Sequence, residues 1–78
     1  QRLVNLQVQK RVPLEELPSL SAACVDLEKE LGDRGRIVVR FSGTELRLRL
    51  MVEALEADLV DASIAKLEAA VQKDNILV

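Results

Sequence analysis

The sequence predicts an α+β fold, a two-layer sandwich in which an antiparallel sheet of three to four strands carries two helices on one face. Three observations lead there. Short stretches rich in apolar and β-branched residues put them on one face at period two, as strands with one buried face require. Two longer stretches repeat apolar residues every three or four positions, as helices with one apolar stripe require. The order strand, helix, strand, strand, helix then lets one layer of helices cover every apolar strand face.

The first strand is carried by Val4, Leu6 and Val8, which alternate with Asn5, Gln7 and Gln9. Pro13 and Pro18 bracket Leu-Glu-Glu-Leu, a connection with room for one short turn. Ser19 or Ser21 is expected to cap a helix that runs to about Leu31, with Leu20, Cys24, Leu27 and Leu31 on one face. Cys24 therefore reads as a buried structural thiol, with no basic neighbour in sequence to activate it. Gly32 stops the helix and Asp33-Arg34-Gly35 turns the chain.

A strand over Ile37–Phe41 and a second over Arg47–Val52 follow. Ile37, Val39 and Phe41 share one face of the first, and Leu48, Leu50 and Val52 share one face of the second. If these apolar faces align, Arg40 and Arg49 both lie on the side away from the helices. The second helix spans roughly Asp58–Lys73 with the stripe Val60, Ile64, Leu67 and Val71, its ends matched in charge to the helix dipole. Asn75 ends it, and Ile76-Leu77-Val78 reads as a short final edge strand.

At 78 residues the chain is one small domain, residues 1–78. Such a domain buries about 60–65% of its unfolded surface and is marginally stable. A single cysteine and no histidine leave no disulfide and no zinc cluster, which suits a reducing, cytoplasmic setting. A net charge of −2 and a lone aromatic residue, Phe41, argue against nucleic-acid binding. No apolar run is long enough to span a bilayer, so no membrane partner is expected. The chain opens on Gln1-Arg2 without an initiator methionine or a signal peptide, and reads as a piece of a longer one.

The chemistry gathers at the hairpin. Ser42-Gly43-Thr44-Glu45 separates the two strands, flanked by Arg40 and Arg49. A glycine that frees the backbone, two hydroxyls and two guanidinium forks are what a phosphate group requires of a binding loop. The same residues also fit an ordinary turn with solvated arginines, because turn chemistry alone carries no ligand information.

The run from Gly35 through Arg40, the Ser42-Gly43-Thr44-Glu45 loop and Arg49-Leu50-Met51-Val52-Glu53-Ala54 resembles the C-terminal domain of the α-D-phosphohexomutases. Among these it is most similar to the bacterial phosphoglucosamine mutases, as are Leu3–Val8 and the turn from Glu30 to Arg36. The resemblance implies a TATA-binding-protein-like α+β fold. It also implies a four-domain enzyme that converts glucosamine 6-phosphate to glucosamine 1-phosphate by intramolecular phosphotransfer through a bisphosphate intermediate. Phosphoserine and Mg2+ would sit in upstream domains, so this chain would hold no catalytic residue, metal or cofactor. Its partners would be the phosphosugar and those domains. Carried onto this chain, the resemblance implies substrate phosphate binding by Arg40, Ser42, Gly43, Thr44 and Arg49, with Glu45 shaping the loop. Phe41 and Leu46 stand where that loop usually has prolines, which removes two restraints on its backbone. A phosphomannomutase or phosphoglucomutase of the same superfamily, or a non-catalytic interaction module whose arginines meet acidic groups, are the alternatives.

Overall fold

The computed structural model describes residues 1–78. Three strands, β1 (Arg2–Gln7), β2 (Gly35–Phe41) and β3 (Arg47–Ala54), form one antiparallel sheet in the order β1-β3-β2. Two helices, α1 (Pro18–Leu31) and α2 (Ala57–Lys73), cover one face, which is the predicted sandwich. The chain leaves β1, crosses through α1 to β2, and returns by the hairpin to fill the gap with β3. The hairpin loop is therefore attached to the central strand.

β3 explains the packing. Leu48, Leu50 and Val52 are fully buried beneath Leu20 and Leu27 of α1 and Ile64, Leu67 and Val71 of α2. Each such side chain contributes about 1.5–3 kcal/mol by leaving water. Val4 and Leu6 of β1 and Ile37, Val39 and Phe41 of β2 complete the inner face. Phe41, opposite Leu48, is thus a strand residue committed to the core, which accounts for an aromatic side chain at the mouth of the loop. Gly35 has extended backbone, yet an added Cβ would run into the Glu53 carbonyl and Ala54. Close strand approach, rather than dihedral freedom, demands glycine there.

Three expectations are corrected. Neither Ser19 nor Ser21 caps α1: the helix begins at Pro18, and its N-cap residue Leu17 has no side-chain acceptor. The cap comes from the far end of α2. Asp74 accepts the Ser19 N–H at 3.0 Å and the Leu20 N–H at 2.8 Å, one on each carboxylate oxygen. Ser21 instead donates its hydroxyl to the Leu14 carbonyl at 2.5 Å, tying α1 to a 3-10 turn at Leu14–Glu16. Cys24 is half-buried rather than buried, and desolvation, with the Glu28 charge second, pushes its thiol pKa up. Ile76–Val78 pairs with the end of β1 through a single bridge, Val8 to Leu77, and adds no strand. Asn75 turns the chain out of α2 with φ 57°, a left-handed residue at the helix end.

Candidate functional site

Strand register places the two arginines together. β2 pairs with β3 so that Arg40 faces Arg49, and β1 pairs with β3 so that Asn5 faces Arg49 from the other side. Asn5, Arg49 and Arg40 form one row across all three strands, exposed on the face away from the helices. Four positions along, the same ladder puts Arg36 opposite Glu53, and those side chains form an ion pair at 3.2 Å. Arg40 and Arg49 have no carboxylate within ion-pair distance. Like charges placed directly opposite oppose folding. A free arginine pair at the loop end of the sheet is therefore a local cost that an anion would remove. Between these rows lies an apolar one, Leu3, Met51 and Val38, which bounds the arginines on one side.

The loop closes the other side. Asn5, Arg40, Ser42, Gly43 and Arg49 line one open, mostly polar concavity of about 370 Å³. The Ser42 N–H donates to the Arg47 carbonyl at 2.9 Å and closes the loop. The Ser42 Oγ accepts the Thr44 N–H at 3.3 Å and the Glu45 N–H at 3.2 Å. Two loop amides are thus satisfied by Ser42, whose hydroxyl hydrogen stays available to donate elsewhere. The Gly43 N–H has no partner within the domain. Gly43 is not in the left-handed region, and a Cβ there would meet open space. Its backbone conformation does not demand glycine, and the missing side chain leaves room at the concavity.

Of the residues assigned from sequence, Arg40, Ser42, Gly43 and Arg49 come together, while the Thr44 side chain lies outside the concavity. Glu45 pairs with Arg47 at 2.9 Å, so the extra cation beside the loop is neutralised within the hairpin. Asn5 and Arg11 were missed. Asn5 is an outward position of an alternating strand, and only the strand order brings it to Arg49. Arg11, in the connection after β1, donates from Nη1 to the Ser42 carbonyl at 3.1 Å, a contact across 31 residues with no local signal. No group of three metal-ligating side chains gathers anywhere in the domain. A larger groove, about 620 Å³, runs between α1 and α2 past Ala22, Ala23 and Ala69, with the Lys66–Glu30 ion pair alongside. It has no comparable set of unpaired cations and loop amides.

Comparison with known proteins identifies the family of the chain. Residues 3–73 match the family described as phosphoglucomutase/phosphomannomutase, C-terminal domain. The chain is 43% identical over 74 residues to a phosphoglucosamine mutase of Desulfovibrio desulfuricans, covering 95% of this chain and 16% of that protein. It is 47% identical over 62 residues to one of Solidesulfovibrio magneticus, covering 80% and 14%. It is 46% identical over 66 residues to one of Chlamydia caviae, covering 85% and 14%. The chain thus spans about one sixth of the length of these relatives, against 95% of its own length in the first comparison.

Proposed function

This chain belongs to the phosphoglucomutase/phosphomannomutase C-terminal domain family, and on that premise we propose that its arginine row and hairpin loop bind the phosphate of a phosphosugar. The observation that carries the reading is Arg40 facing Arg49 in register, without carboxylate partners, beside a loop with a free Gly43 N–H. Both guanidiniums supply charge and paired donors to phosphate oxygens. Ser42 donates its hydroxyl hydrogen while its oxygen stays held by the Thr44 and Glu45 amides. Thr44 acts through that amide. The vacancy beside Gly43 lets a phosphate oxygen approach the backbone.

The relatives are named phosphoglucosamine mutases, isomerases. The reaction proposed for the full-length enzyme is the interconversion of glucosamine 6-phosphate and glucosamine 1-phosphate through a bisphosphate intermediate. Phosphoryl transfer needs a positioned nucleophile and neutralisation of the charge on the moving group. This domain holds the phosphate that is not moving. In this reading the nucleophile and the Mg2+ implied for such enzymes are supplied by other domains of the full-length enzyme. No helix here is long and apolar enough to cross a membrane. The proposed setting is a reducing cytoplasm, in keeping with Cys24 as a free thiol.

In the full-length enzyme, Arg40→Ala and Arg49→Ala should each raise KM for glucosamine 6-phosphate about 10- to 100-fold, the loss of one charge-assisted contact. Unchanged KM in both would remove the basis of this reading. Turnover of mannose or glucose 6-phosphate in preference to the amino sugar would assign the chain to the other named branch of its family.

A further inference from the structure

We propose that Arg11 is a positioning residue for the phosphate loop, aiming the Gly43 N–H into the site from behind; the proposal rests on the phosphate-binding reading above. Ser42 C=O and Gly43 N–H belong to one peptide unit. A trans peptide is planar, with its carbonyl and its N–H pointing in opposite directions. The Arg11 guanidinium holds that carbonyl at 3.1 Å and does not line the concavity, whereas Gly43 does. Fixing the carbonyl on one side fixes the free N–H on the other. Donation to the carbonyl also polarises the peptide and makes its N–H a stronger donor.

The support behind Arg11 is built for the task. Its connection grips the loop at both ends, because the Val8 N–H donates to the Leu46 carbonyl at 3.0 Å while Arg11 holds Ser42. Val8 is fully buried and bridges to Leu77. Gln9 donates its N–H to the Ile76 carbonyl at 2.7 Å and its side-chain amide to the Leu77 carbonyl at 2.7 Å. The C-terminal residues thus brace the connection, and the connection braces the loop. Arg11 makes the one side-chain hydrogen bond that reaches the loop from outside the hairpin.

The test uses the full-length enzyme with glucosamine 6-phosphate, measuring kinetics and hydrogen exchange of the 41–47 segment without substrate. Arg11→Ala should raise KM about three- to tenfold with kcat little changed, the signature of binding lost equally from ground and transition states. Exchange in the loop should quicken, and Arg11→Lys, which keeps one charged donor, should restore most of both. Lys10→Ala removes a neighbouring exposed cation that forms no ion pair, and should leave KM unchanged. If Arg11→Ala changes neither KM nor loop exchange while Arg40→Ala raises KM, the positioning role is overturned and phosphate binding stands. A Lys10→Ala effect equal to that of Arg11→Ala overturns it too, since long-range charge would then suffice. An inert Arg40→Ala overturns the binding reading and this inference with it. Arg11→Gln gives the same comparison if the alanine variant melts near the assay temperature.

Discussion

Replacing Arg49 with glutamine should make the domain more stable and a poorer phosphate binder at once. Arg49 faces Arg40 across the ladder, and neither has a carboxylate partner. Directly opposed residues have Cβ atoms about 5 Å apart, and the guanidiniums splay to roughly 7 Å in water. Two unit charges at that distance in water repel by about 0.6 kcal/mol. Screening leaves most of this at roughly 10 mM salt and less than half at about 0.15 M. Glutamine keeps the stem that covers the sheet and removes the charge. The variant should therefore melt about 2–4 °C above the parent at low salt, with the gap shrinking as salt is added. Phosphate should raise the melting temperature of the parent, because a ligand that binds only the folded state stabilises it by mass action. The variant should gain much less. The assay is thermal unfolding followed by circular dichroism at both salt levels, in a phosphate-free buffer, with and without added inorganic phosphate. A variant that melts below the parent at low salt, or that phosphate stabilises as strongly as the parent, would refute the argument.

Removing the remote cap with Asp74→Ala should cost about 2 kcal/mol, from two charge-assisted contacts at a helix N-terminus, read as a lower midpoint with unchanged slope in urea. Ser63 of α2 is buried with no partner for its hydroxyl, so Ser63→Ala should be neutral or stabilise by up to about 1 kcal/mol in the same assay. The Cys24 thiol is raised by desolvation and then by Glu28, so the folded state favours the protonated form. Its stabilising contribution is complete below the ordinary thiol pKa and is lost as pH rises through the folded value. Alkylation of the folded domain at pH 7 should accordingly be slower than that of the urea-unfolded chain, and equal rates would contradict this.

The sheet and both helices were legible because each has one apolar face, and period alone distinguishes the two kinds of element. Leu48, Leu50 and Val52 alternate cleanly, and they became the floor of the core. That alternation also placed Arg40 and Arg49 on the outer face, although their pairing waited for register. The failures share a cause, which is contact over long sequence separation. Ser19 and Ser21 satisfy the local rule for a cap, but Asp74 reaches α1 from 54 residues away and takes the role. Asn5 and Arg11 carry no local mark of the loop, since strand order and one hydrogen bond bring them there. Turn chemistry assigns Gly43 to a backbone that turns inward; in the structure it leaves space and an unpaired N–H instead. The residues standing where prolines were expected have work of their own. Phe41 packs on the core, and Leu46 offers its carbonyl to Val8.

The measurement that most directly tests the central claim is an amide-resolved NMR titration of this 78-residue chain with inorganic phosphate and then glucosamine 6-phosphate, at low salt. The account predicts saturable shifts concentrated at Arg40, Ser42, Gly43, Thr44, Glu45 and Arg49, largest at the free Gly43 N–H, and abolished by Arg40→Ala. Shifts centred instead on Arg34 and Arg36 at the opposite end of the sheet, or none up to tens of millimolar ligand in a folded domain, would contradict it.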